Sequence, residues 1–140
     1  MADMPFPWIL AGLAASIGAL MGLMSFAVPR WGANVVRLVP APDMKGGWAE
    51  FRSSYGGALV LAHGAVILTL FMSGRAGSGA VMGASFAVGL YWLGMALGRA
   101  VSMLADAEHD TRTNYNGAAI AFETLMGLAL CAPFIAHLGA

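Results

Sequence analysis

Arg52, His63, Arg99 and Glu123 lie inside stretches of sequence otherwise fit for hydrocarbon. A charge at the centre of a membrane-spanning helix costs about 2.5–3.5 kcal/mol on insertion scales, so such residues face the protein interior, pair, or work. Two chemistries are open to this set. An Arg with Glu123 can form a salt bridge that fixes helix register, or the group can bind an anionic or protonatable ligand. Ser102 shares a helical face with Arg99, and Tyr55 and Tyr91 add hydroxyls. His63 reads either as a hydrogen-bonded core histidine or as a ligand.

Other chemistries find no support. A bis-His haem needs two facing intramembrane histidines, yet His109 and His137 fall at helix ends. No cofactor is predicted, and ligation of a pigment or haem by His63 alone stays open. Lys45 is the only lysine and lies in a connection, which excludes a retinal Schiff base. Cys131 is the only cysteine, so there is neither an internal disulfide nor zinc-type spacing. No Ser/His/Asp spacing, HExxH, P-loop or dinucleotide fingerprint occurs, and the chain is not predicted to be an enzyme.

The elements that must position these residues follow from composition. Of 140 residues, 59% are hydrophobic and 10% charged, with zero formal net charge. A soluble domain carries about 25% charged residues, so lipid is the expected solvent. The absence of a basic stripe argues against nucleic acid. Four apolar runs predict an all-α integral membrane four-helix bundle in one domain, 1–140. Its spans are 8–28, 50–72, 80–104 and 114–138, each long enough for a hydrocarbon core of about 30 Å. The first run is read as a span and not a cleaved signal, because its flank carries Asp3 and no Lys or Arg. The segment Pro29 to Ala49 is either a short amphipathic helix in the headgroup zone or an irregular loop. Gly18 with Gly22, and Gly94 with Gly98, are GxxxG pairs expected to pack helices within the bundle.

Even span number puts both termini on one face. Arg30, Arg37, Lys45 and Arg112 flank the other face, against Arg75 alone on the terminal side. The positive-inside rule then predicts a cytoplasmic Pro29–Ala49 loop and both termini outside. Arg52, Arg99 and Glu123 consequently share one leaflet. Arg52 and His63, eleven residues apart, would share a face, and Glu123 should lie within salt-bridge reach of Arg99 or Arg52.

The run Ala49-Glu50-Phe51-Arg52-Ser53-Ser54-Tyr55-Gly56-Gly57 resembles the motif opening the second helix of a family of small bacterial four-helix membrane proteins. So does Leu97-Gly98-Arg99-Ala100-Val101-Ser102, followed by Asp106, with Glu123 in the last helix. That family is catalogued as domain of unknown function 4345. The resemblance implies a four-helix fold in a bacterial inner membrane and brings no activity. Ala62-His63 and the connection Ala105 to Thr113 depart from the family pattern, so His63 is not carried over as a site. Two functions lead this reading, ahead of a membrane enzyme. One is a non-enzymatic accessory or assembly subunit of a larger membrane complex. The alternative is a small-molecule or proton binder or carrier that uses the intramembrane Arg/Glu pocket.

Overall fold

The computed structural model describes residues 4–43 and 45–139. Four helices are long and apolar enough to cross a membrane: span one, Phe6–Ala27; span two, Gly47–Phe71; span three, Ser78–Ala105; and span four, Asn114–Leu138. They lie within three residues of the predicted bounds. Span one begins behind Pro5 with a proline in its first turn, where the missing N–H has no helical partner to lose. Span four begins at Thr113, whose hydroxyl accepts from the Asn116 N–H at 3.1 Å and so satisfies a free donor of the first turn.

Two of the connections carry short α-helices. Pro29–Val36 forms a connecting helix, so the helical alternative holds for the first part of the long segment. It starts on proline and stops at Arg37, which adopts the left-handed conformation at φ 57°. A single helical turn, Ser73–Ala76, and Gly77 at φ 79° join spans two and three. Between spans three and four, the Thr111 hydroxyl donates to the carbonyls of Ser102 and Asp106, both at 3.0 Å.

The distribution of side-chain size identifies the solvent. The buried residues of span one are Ala11, Ala14, Ala15, Gly18, Gly22 and Ser25, all small. Its large residues point outward: Leu13 is 60% exposed and Leu20 62%. Leu61, Phe71, Leu97 and Leu125 extend this apolar exterior around the other spans. A water-soluble bundle buries its leucines, because burial is its main driving force. In lipid that force is missing between helices, and close backbone packing through small residues takes its place.

The spans form a ring in which span one packs on two and four, and span three on four and two. The seam between spans two and three is the thinnest of the four. Glycines set two of the closest approaches. A Cβ on Gly18 would strike the His63 ring, and one on Gly22 would come within 2.8 Å of the Val60 backbone nitrogen. Gly89 and Gly127 face each other across spans three and four, each with its hypothetical Cβ about 3 Å or less from the other's carbonyl oxygen (2.9 and 3.0 Å). The second GxxxG pair behaves otherwise. Gly94 and Gly98 are exposed, and a Cβ on either meets nothing within 4 Å. Span three turns its Gly89 face to span four, which leaves this pair pointing away from that partner.

Candidate functional site

Arg99 and Glu123 stand six residues from the end of span three and nine from the start of span four. At about 1.5 Å per residue both are well below the bundle face. They meet: Arg99 Nη2 donates to Glu123 Oε1 at 2.7 Å, and Nε–H is shared between Oε1 and Oε2 at 3.3 and 3.2 Å. The Glu123 side chain is 7% exposed and that of Arg99 27%. Burial of this kind needs a charge partner, since an unpaired carboxylate there would be strongly disfavoured. Asn116 continues the chain of contacts. Its Oδ1 accepts from Arg99 Nη1 at 3.1 Å, and its Nδ2 donates to the Thr111 carbonyl at 2.7 Å. The charged turn is thus wired to the intramembrane pair.

Arg52 does not join them. It is exposed and donates to the carbonyl of Phe26 at the end of span one. The expected shared face with His63 assumed α-helix throughout, at about 100° per residue. Residues Arg52–Gly57 instead form a π-helical segment. Its wider i→i+5 turn inserts residues into the register and rotates Arg52 away from the His63 face.

His63 is fully buried and also stands apart from the pair. Nε2 accepts from the indole N–H of Trp92 at 2.8 Å, and Nδ1–H donates to the Leu59 carbonyl at 2.8 Å. Indole N–H can only donate, so the ring is the neutral Nδ1–H tautomer. Both ring nitrogens have protein partners, and ligation of a pigment or haem would require breaking the bond to Trp92. Among the described residues, no three His, Cys, Asp or Glu side chains converge to hold a metal.

Above the His63–Trp92 pair the bundle opens into a cavity of about 620 Å³. Arg99, Ser102 and Glu123 line it, as does Tyr55 from the π-helical segment, with Tyr91 and Asn116. Arg52 and His63 do not. The connecting helix closes one end through Trp31, Gly32 and Val35. That helix is pinned where Tyr115 donates its hydroxyl to the Val35 carbonyl and where the Arg37 guanidinium lies 3.7 Å from the Tyr115 ring centroid. The cavity is not sealed. Tyr91 at one side is 47% exposed, and Phe122 at the other 39%. Its size falls in the range of about 300–1,000 Å³ common for small-molecule sites, and its character matches them: apolar walls with a few polar groups.

Sequence reasoning missed three contributors. The seven-residue spacing of Asn116 and Glu123 put both on one face, but the role of Asn116 as a bridge required the turn geometry. Trp92 as partner of His63 was not legible, because facing residues on different spans share no sequence periodicity. Tyr115, which pins the connecting helix through the Val35 carbonyl, gave no signal beyond hydropathy. Compared with protein-family models, curated proteins and solved structures, the chain matches none.

Proposed function

We propose that this chain is an intramembrane binding protein, or carrier, for a small molecule held in the cavity beside Arg99 and Glu123. The observation that carries the reading is the placement of Arg99 and Glu123, the only charged side chains among the described residues that line the cavity, paired and oriented at one wall of a mainly apolar space. A salt bridge that served register alone would need no cavity beside it. Packing in lipid favours closing such a void, since an empty one forfeits dispersion contacts along its whole lining. Extraction of the detergent-purified protein with organic solvent, followed by mass spectrometry, is expected to release a small molecule in near-stoichiometric amount.

The second reading is an accessory or assembly subunit of a larger membrane complex. It draws on the exposed Gly94–Gly98 face of span three, where a foreign helix could approach closely. Native purification yielding a stable larger assembly, with no small molecule in the extract, would favour it over the binder.

We further infer a bacterial inner-membrane location with the connecting helix cytoplasmic and both termini outside, on the distribution of Arg and Lys between the two faces. The resemblance to domain of unknown function 4345 supports the same location. Arg99 and Glu123 both belong to the resembling pattern, and they are the two residues that pair. Cysteine labelling in intact cells, with Cys131 replaced by Ala, tests the orientation. A cysteine at Ser73 is expected to react with an impermeant reagent and one at Asp43 only after permeabilisation; the opposite pattern would invert it.

A further inference from the structure

The polar wall of the cavity specifies what it accepts. Glu123 and Asn116 use three of the five N–H bonds of the Arg99 guanidinium. The other two have no partner among the described residues, although Arg99 lines the cavity. The hydroxyls of Tyr55 and Tyr91 make no hydrogen bond to the described residues either. The wall therefore has donors to spare. Its charge, however, is already balanced, because Glu123 accepts twice from Arg99 and no other charged side chain among the described residues lines the space. An ionised headgroup of either sign would meet an equal and opposite charge beside the one that attracts it, and would still lose its hydration. An uncharged acceptor such as a carbonyl oxygen loses little hydration and gains donors.

The opening gives the rest of the molecule. Tyr91 precedes the end of span three by fourteen residues, about 21 Å of helix. The surface reached there is bathed by acyl chains. Tyr91 of span three and Tyr55 of span two both line the cavity, and the seam between these two spans is the thinnest of the bundle. Tyr55 stands in the π-helical segment of span two, a distortion that recurs at functional sites in helices. The other opening, at Phe122, is shallower, about 12 Å from the start of span four. The connecting helix covers the aqueous end.

Deepening the binding reading and resting on it, we infer that the cavity takes an uncharged amphiphile from the bilayer. Its hydrogen-bond-accepting headgroup docks on Arg99, and its apolar body leaves the bundle between spans two and three, past Tyr55 and Tyr91. The ligand is a lipid-soluble ester, ketone or quinone-like carbonyl compound by chemistry, and a fatty-acid anion or an amine is a poor fit.

Fluorescence quenching in phosphatidylcholine nanodiscs tests this. Trp31 and Trp92 line the cavity, so Trp8 and Trp48 are replaced by Phe to isolate their signal. The probes are dibrominated stearic acid methyl ester, the free acid at about pH 9 where a carboxyl is ionised, and dibrominated octadecane. The ester is expected to quench saturably, with an affinity about tenfold above either other probe. Arg99→Gln with Glu123→Gln keeps the wall neutral and should weaken the ester by about tenfold. Gly98→Leu adds bulk to the cavity lining on the span-three side, where a first side-chain carbon meets nothing within 4 Å, and should weaken it similarly, whereas Ala118→Leu at the other opening should not. Saturable quenching by none of the probes would overturn both the binding reading and this inference. An anion or hydrocarbon that binds as tightly as the ester leaves the binding reading standing and overturns the ligand class. Undiminished ester binding in the Arg99/Glu123 double variant overturns Arg99 as the docking group. Loss in Ala118→Leu but not in Gly98→Leu overturns the route.

Discussion

The two halves of this bundle are built by opposite rules. Toward the chain ends, Ala11, Ala14, Ala15, Val66, Val81 and Leu130 form a buried apolar core, and no charged side chain among the described residues is buried there. Toward the connecting helix, large aromatic and polar residues border a cavity, and the one buried ion pair sits on its wall. The His63–Trp92 hydrogen bond marks the boundary between them. The contrast teaches where the stability of the fold comes from. Lipid supplies no hydrophobic drive between helices, so the packed half holds the spans together while the other half keeps space and polarity.

Substitutions at four places, the Arg99–Glu123 pair, Gly18, Trp92 and Gly94, break or sharpen this contrast. The largest effect is expected for Glu123→Gln, which leaves the Arg99 charge without its counter-ion in the open half. A loss of about 3 kcal/mol, the low end for a buried pair broken on one side, should appear in thermal unfolding in detergent. Adding Arg99→Gln should recover part of that loss, and a double variant no better than the sum of the two singles would remove the pair from the stability of the bundle.

At the boundary, Gly18→Ala drives a methyl into the His63 ring. Overpacking of this kind should cost about 2 kcal/mol. Unchanged unfolding would show that the imidazole moves aside freely and does not fix the division. Trp92→Phe keeps the aromatic volume but leaves His63 Nε2 as a buried acceptor with no donor. Its expected cost is about 1–2 kcal/mol by the same measurement; a neutral result would mean that the cavity provides a replacement donor, such as water.

The smallest effect belongs to Gly94→Ala, where an added Cβ meets no atom of the described chain within 4 Å. It should stay within about 0.5 kcal/mol of the parent. A loss comparable to that of Gly18→Ala would reveal a helix of another subunit against span three and would strengthen the accessory-subunit reading.

Hydropathy made the four spans legible because each must satisfy its own backbone within about 30 Å of hydrocarbon, a constraint that acts on contiguous sequence. It also made one ion pair legible. Glu123 is the lone acid deep in any span, so some Arg in the same leaflet had to meet it. The choice of Arg99 over Arg52 belonged to the tertiary structure: a π-helical segment changes angular register without a sequence signature, and it swung Arg52 onto the Phe26 carbonyl. The same holds for the glycines. Gly18-Gly22 and Gly94-Gly98 are identical as motifs, yet only the first is covered, because a motif fixes spacing along one helix and not which face meets a neighbour. The cavity lay furthest from the sequence. It is bordered by residues of all four spans and of the connecting helix, and an empty volume is a property of their joint packing that no single stretch of residues encodes.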